Sequence, residues 1–324
     1  MELRRGRSRI LTQSSLEFNP ALHRFLIFLA AMTFLLLLAG GLVTSNQAGL
    51  SVPDWPTSFG SLYRIPPMVG GVRYEHSHRM IAELVGLLTI VVAIWAWRSE
   101  QRAWMRWLGW IALGGVIVQG VLGGLTVKML LPWYVSSAHA VVAQSFFCLI
   151  VLMAVFTSQH WMQPLAAQAA DTGRPSLYWL CLISIAVLYL QLFFGAAFRH
   201  RDQHGGLSVE YHIINSLLVT GLLVFTSVRG MMRRDIPAVR KPAFLVHMLL
   251  WAQIALGIAA YMTRVVWGAD APQPLPSMVA ATVAHLGVGA LLLAATFVLA
   301  AEAKRNLVGR PVPSPAIARS GAVA

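Results

Sequence analysis

Residues 73–97 read RYEHSHRMIAELVGLLTIVVAIWAW. From Met80 onward the run is apolar except for Glu83 and Thr89, and its length suits a helix crossing a bilayer, which takes about 20 mostly apolar residues. Its head is different. Glu75, His76, His78 and Arg79 place a carboxyl, two imidazoles and a guanidinium where the apolar segment begins. Ionisable groups in a spanning segment are costly, by about 3 kcal/mol for Asp, Lys or Arg at the bilayer centre and less near the ends. Such a cluster marks a functional site, and the apolar run behind it sets the fold class.

The rest of the chain agrees. Of 324 residues, 57% are hydrophobic and 11% charged, against about 25% charged in a soluble domain. Eight segments are long and apolar enough to span: 24–44, 73–97, 107–127, 136–158, 177–198, 208–228, 243–262 and 278–300. The basic N-terminus is followed by an apolar run of spanning length, which reads as a retained first helix. With the N-terminus inside, eighteen of the 25 Lys and Arg residues fall on the inner side, among them Arg98, Arg102, Arg106, Arg229, Arg233, Arg234, Arg240 and Lys241. This bias places both termini in the cytoplasm. It also accounts for the net charge of +13 through topology, so nucleic-acid binding is not needed. Cys148 and Cys181 lie in apolar segments and read as small buried hydrophobes.

The sequence contains an internal repeat. Gly49-Leu50-Ser51-Val52 recurs as Gly206-Leu207-Ser208-Val209, with Gln47 and Gln203 shortly before. Gln-x-x-x-Gly occurs in the third, fifth and seventh segments, as Gln119/Gly123, Gln191/Gly195 and Gln253/Gly257. Segments one to four therefore match five to eight. Four is even, so both halves share one orientation, and the fold expected is all-α, two parallel-repeat four-helix bundles. The expected divisions are an N-terminal tail 1–23, a bundle 24–158, a cytoplasmic linker 159–176, a bundle 177–300 and a tail 301–324. The halves differ in their loops: residues 53–71 and 263–277 are long outer stretches without helical periodicity, and Trp55, Tyr63 and Trp267 suit the membrane–water interface.

Of ten histidines, four lie in the outer part of an even-numbered segment: His78, His139, His212 and His285. Each half thus offers one pair at similar depth, the arrangement that holds haem iron between two imidazoles. The residue four positions on is Ala82, Ala143, Ser216 or Gly289, small enough to leave room for a porphyrin on that face. Small residues are also common in membrane helices generally. His76 and His78 point to opposite faces, and the small-residue face favours His78 as the ligand. His23, His160 and His247 read as solvated or interfacial on the cytoplasmic side, and His200 and His204 as loop residues.

Glu75 shares a helical face with His78. It is either an acid–base group beside a haem or a partner of the helix N-terminal dipole. Glu83 lies deeper on another face and reads as a hydrogen-bonded structural acid. Glu210 stands two residues before His212 and does not repeat the Glu75 spacing, so the two sites are not equivalent. Arg73, Arg79, Arg199 and Arg201 oppose the inner-side bias; they pair either with haem propionates or with lipid head groups. A zinc site at His76 and His78 lacks a third ligand.

GGLVTSNQAGLSVPDWP, then EHSHR, AHAVVAQ and AHLGVGALLLA resemble the haem A synthase family of bacterial and mitochondrial inner membranes, across residues 24–300. Glu-x-x-His-Arg is the most specific motif, filled by Glu75, His78 and Arg79. The resemblance implies an oxidoreductase of the bacterial plasma membrane that oxidises the C8 methyl of haem O to a formyl group, through hydroxylation, making haem A for terminal oxidases. It implies haem b as cofactor at His212 and His285, substrate haem at His78 and His139, and Glu75 as the catalytic acid or base. The partners implied are haem O, haem O synthase, terminal oxidase assembly and an electron acceptor. The outer-loop cysteine pair of many members is absent here, and Ile213 replaces a basic residue after His212. The alternative is a diheme b-type membrane electron carrier that leaves its haem unmodified. A transporter built on parallel repeats, which needs no haem, is a third class.

Overall fold

The computed structural model describes residues 18–165, 168–199, 206–270, 272 and 274–309. Its eight long apolar helices are α1 (Pro20–Ser45), α2 (Val72–Ser99), α3 (Ala103–Lys128), α4 (Trp133–Phe156), α5 (Leu177–Arg199), α6 (Val209–Met231), α7 (Pro237–Tyr261) and α8 (Pro276–Asn306). Each is long and apolar enough to cross a membrane.

Local chemistry sets several ends. Asn19 accepts a hydrogen bond from the Leu22 amide at 3.0 Å, and Pro20 follows it at the first helical position of α1. Pro237 and Pro276 open α7 and α8 in the same way. Helix α7 begins six residues before the sequence segment 243–262, because Arg240 and Lys241 belong to its first turns rather than to a loop. It also ends later: Met262–Val266 continue it as a π-turn, so the outer stretch 263–277 is partly helical. Helix α8 runs on to Asn306, where Asn306 Nδ2 donates to the backbone and side chain of buried Glu302.

Helices α1 to α4 pack as a closed ring, each against the next and α4 back against α1; α5 to α8 repeat the pattern. The rings meet through α1 with α8, α4 with α5, and α4 with α8. Exchanging the halves turns the first contact into the second and leaves the third unchanged, the pattern that an axis along the membrane normal would give. Helix α4 has two working faces. Phe146, Ile150 and Met153 join the apolar cluster of the first ring, whereas Phe147 and Cys148 join that of the second. Cys181 is likewise buried.

Lipid is as apolar as a leucine side chain, so close packing and hydrogen bonds hold such helices together. A Cβ on Gly109 of α3 would lie 3.2 Å from Ala93 Cα of α2, and one on Gly230 of α6 would lie 2.5 Å from Ala243 Cβ of α7. The two contacts occupy matching places in the two rings. Polar ties join the rings: Ser145 Oγ with the Tyr189 hydroxyl at 2.9 Å, and Ser45 Oγ with Thr282 Oγ1 at 3.0 Å.

The described parts of the expected linker 159–176 and of the tail, residues 301–309, contain regular structure. Gln159–Met162 form one helical turn. Strand β1 (Ala169–Asp171) pairs in parallel with β2 (Leu307–Gly309). Arg229 closes this end, donating to Asp171 Oδ1 at 3.1 Å and to the Pro175 carbonyl at 2.6 Å. Three-residue strands carry too little alternation to be read from sequence.

Candidate functional site

The four even-helix histidines share one local design. Each imidazole lies against a glycine on the preceding helix. A Cβ on Gly40 of α1 would stand 3.1 Å from His78 Cε1, and on Gly123 of α3 it would stand 3.2 Å from His139 Cε1. On Gly195 of α5 and Gly257 of α7 it would stand 3.0 Å from Cε1 of His212 and His285. The ring needs the place where a side chain would begin, so glycine is required by contact rather than by backbone conformation.

The Gln-x-x-x-Gly motif acquires a meaning here. One turn before three of these glycines, a glutamine amide meets the histidine. Gln119 Nε2 is 3.1 Å from His139 Nδ1, 3.2 Å from its Nε2, and donates to the His139 carbonyl at 3.1 Å. Gln191 Nε2 is 3.2 Å from His212 Nε2 and donates to the His212 carbonyl at 3.0 Å. Its own Oε1 accepts from Asn215 at 2.7 Å. Gln253 Nε2 is 3.3 Å from His285 Nε2. The corresponding residue of α1 is Leu36. The small residue after His285 serves this contact too: a Cβ on Gly289 would lie 3.0 Å from Gln253 Nε2.

In the second ring, the His212 and His285 ring centres are 6.2 Å apart with planes at 76°. A first-row metal bound to both would sit about 2 Å from each nitrogen and each nitrogen about 1 Å from its ring centre, giving about 6 Å in all. The pair therefore fits a single ion between two imidazoles. The Nδ1 atoms of His78 and His285 are buried without a hydrogen-bond partner. Among the described residues no group of three His, Cys, Asp or Glu side chains converges.

The first ring carries a second construction. Glu75 is only 3% exposed. Its Oε2 accepts the Val52 amide at 2.8 Å and its Oε1 takes Arg79 Nη2 at 2.7 Å. Arg79 also donates to the carbonyls of Asp54 at 2.7 Å, Thr57 at 3.0 Å and Val52 at 3.0 Å. His76 bonds Ser58 Oγ at 3.2 Å. Three residues of the YEHSHR stretch thus fasten one loop, residues 52–58, to the head of α2. Asp54 stiffens the loop from within, accepting from the Phe59 and Gly60 amides and the Thr57 hydroxyl. Trp55 folds back on α3, where a Cβ on Gly124 would meet its indole at 2.5 Å. Tyr63 and Trp267 are exposed.

The two Gly-Leu-Ser-Val copies do different work. Val52 of the first copy is bonded to Glu75, whereas Ser208 of the second caps α6, accepting from the Glu210 amide at 3.4 Å.

Other candidates separate. The Arg79 guanidinium is engaged by the loop carbonyls and Glu75, which makes it a structural partner. Arg73 lies in the open, donating to the Tyr74 hydroxyl at 2.8 Å. Arg199 donates to Ser45 at 2.6 Å where the rings meet, and its Nε is buried without a partner. Arg201, His200, His204 and Gln203 lie outside the described residues. Glu83 is exposed on α2 rather than a bonded interior acid. His23 and His247 are helix ties rather than solvated groups. His23 Nδ1 is 3.0 Å from the Ala154 carbonyl, and His247 bonds Ser227 and Trp251. His160 is exposed and lies 3.5 Å from Glu302. Sequence reading had no signal for Ser58 or for the glutamines as histidine partners beyond the repeated spacing itself.

Residues 72–211, from the start of α2 to the third residue of α6, match the family described as cytochrome oxidase assembly protein (COX15-CtaA). A protein of Shouchella clausii named heme A synthase is 35% identical over 107 residues, 32% of this chain and 35% of the relative. Its namesake in Alkalihalophilus pseudofirmus is 26% identical over 174 residues, 52% of this chain and 56% of the relative. That of Lysinibacillus sphaericus is 26% identical over 190 residues, 58% and 61% of the two chains. The chain spans between 35% and 61% of the length of these relatives. From α2 into α6 the chain is thus similar to the cytochrome oxidase assembly family, and its relatives are proteins named heme A synthase.

Proposed function

We propose that this chain is a haem A synthase, a membrane oxidoreductase that converts the C8 methyl of haem O to a formyl group through a hydroxylated stage. The observation that carries the reading is an asymmetry between two similar rings. Each ring has a histidine pair seated on glycines, but among the described residues only the first has an ion pair, Glu75 with Arg79, holding a loop at its histidine helix. One reacting haem and one retained haem would need such a difference.

In this reading His212 and His285 hold haem b, and their 6.2 Å separation suits it. That haem supplies a one-electron relay. His78 and His139 flank the substrate haem O. Converting methyl to formyl adds one oxygen, taken from water, and releases four electrons and four protons. The electrons pass to an acceptor outside the chain. Glu75 is the group of this chain suited to the protons. It lies on the His78 face, and each of its oxygens accepts one hydrogen bond although a carboxyl oxygen can accept two. The loop it fastens covers the head of α2 and limits water there. Haem O would come from haem O synthase, and the product would serve terminal oxidase assembly. The chain would lie in the bacterial plasma membrane with both ends cytoplasmic.

Co-expression with a haem O source, followed by separation of the extracted pigments, tests this. Wild type should yield a formyl haem and Glu75→Gln should not. A protein that binds two haems and leaves both unchanged would be an electron carrier instead. A colourless protein would overturn both readings.

A further inference from the structure

Gly230 of α6 packs on Ala243 of α7, and residues flanking that contact line a cavity of about 650 Å³. Small-molecule sites take roughly 300–1,000 Å³. Val228, Met232 and Phe244 form its apolar side, and Arg234, Arg240 and Lys241 its polar side. Sixteen residues of α6 separate His212 from Val228, a rise of about 24 Å, so the cavity is no part of the histidine site. The cations at this end differ in what they do. Arg229 bonds Asp171 and the Pro175 carbonyl, and Arg233 bonds Asp235 and the Ala170 carbonyl. Both are committed to the protein. Arg234, Arg240 and Lys241 are exposed and, among the described residues, have no carboxylate within 4.0 Å. No acidic side chain lines the cavity.

We propose that this cavity holds an anionic phospholipid, its phosphate at Arg234, Arg240 and Lys241 and its acyl chains along Val228, Met232 and Phe244. Three positive charges without a counter-ion in one concavity attract an anion. The first turn of α7 has no side-chain cap, so its amides add charge of the same sign. The apolar side chooses the kind of anion. Met232 is 72% and Phe244 55% exposed. A small soluble anion gains nothing from them, whereas acyl chains cover them. Depth agrees as well. Helix α6 ends at Met231 and α7 begins at Pro237, so the cavity lies at the membrane surface, the level of lipid phosphates. Basic pockets between spanning helices on the cytoplasmic side bind such head groups, and this end is cytoplasmic in the orientation proposed above. The lipid would clamp the ends of α6 and α7 together. The site is independent of haem and would serve an electron carrier or a transporter equally.

Native mass spectrometry of the delipidated full-length protein tests this, after incubation with equal amounts of phosphatidylglycerol and phosphatidylcholine of distinct mass. Wild type should retain one phosphatidylglycerol in preference to phosphatidylcholine. Arg234→Gln, Arg240→Gln and Lys241→Gln should each cut that preference about fivefold, the equivalent of about 1 kcal/mol per basic residue. The three side chains are exposed, so these variants should unfold as wild type does, and any one of them stands in for another that fails to fold. Arg98→Gln removes an exposed cation at the same end of α2 and should leave the preference unchanged. Phe244→Ala should weaken retention of phosphatidylglycerol. Millimolar inorganic phosphate should not displace the lipid. Equal retention of the two lipids by wild type would overturn the proposal. Equal losses from Arg98→Gln and Arg240→Gln would reduce it to diffuse surface attraction and overturn it too. Displacement by phosphate, with no effect of Phe244→Ala, would make the cavity a phosphate site and overturn the lipid as its occupant.

Discussion

Arg79 and Glu75 form a 2.7 Å ion pair one turn apart at the head of α2, and both also bind Val52, the arginine its carbonyl and the carboxyl its amide. A loop residue is therefore gripped at both its polar backbone atoms by two consecutive turns of a spanning helix. The ion pair is buried, with side-chain exposures of 14% and 4%.

Removing one partner of a buried pair leaves the other uncompensated, at a cost of about 3 kcal/mol or more. Arg79→Ala should therefore lower thermal stability strongly and open residues 52–58 to proteolysis. Glu75→Gln keeps an acceptor for Val52 and should cost about 1 kcal/mol. Thermal unfolding in detergent, with mapping of the cleavage sites, checks the order. Equal effects would contradict the loop-anchoring role of the guanidinium.

The loop should also respond to acid. Burial would raise the Asp54 pKa, but hydrogen bonds from the Thr57 hydroxyl and the Gly60 and Phe59 amides outweigh it and bring the value down to about 2. A lowered folded-state pKa means that the stabilisation is complete above the ordinary value of 3.8 and is lost as pH falls toward 2. Trp55 fluorescence should therefore change between about pH 4 and pH 2. Asp54→Asn should remove that transition. A Trp55 signal that moves only above pH 5 would contradict it.

Much of this was legible from sequence, for identifiable reasons. Apolar length alone gave the eight helices, because a bilayer imposes one length scale on every span. The histidines were legible through the repeat, since one position recurring at four helix heads exceeds what a lone histidine could say. The division of labour inside YEHSHR was only half legible. Helical geometry put Glu75 and His78 on one face and His76 on another, but Arg79 and His76 take their partners from residues 52–58, about twenty positions away along the chain. No periodicity reports a loop folding back onto a helix. Leu36 was invisible for a different reason: a leucine in an apolar helix carries no signal until Gln119, Gln191 and Gln253 are seen against their histidines.

The glycine seats make a graded prediction. A methyl on Gly195 or Gly257 would press to 3.0 Å on an imidazole Cε1, whereas one on Gly221 would meet nothing within 4 Å. Overpacking a tight contact costs about 1–3 kcal/mol. Gly195→Ala and Gly257→Ala should each weaken haem retention in the second ring about tenfold or more. Gly221→Ala should bind as wild type does and gain slightly in helix stability. Haem titration of the three purified variants decides; equal affinities would remove the glycines from the site.

Trp55 supplies the last test, because its contact with α3 has no room to adjust. A Cβ on Gly124 would lie 2.5 Å from indole Cδ2 and 2.6 Å from Cε2, closer than real contacts allow. Helix backbone cannot retreat by the ångström needed, so the indole must leave. It already exposes 37% of its surface, which makes expulsion the easier change. Gly124→Ala should therefore shift Trp55 emission toward that of a solvated tryptophan, and Trp55→Phe should abolish the shift. The anchors at Glu75 and Arg79 lie on α2 and should persist, so unfolding should move little. In the proposed reading formyl-haem production should fall, because this loop is anchored to Glu75 and lies against Gly124, next to the glycine seat of His139, whereas haem at His212 and His285 should stay in place. Loss of both haems together would mean that Trp55 supports the whole bundle rather than the loop over one site.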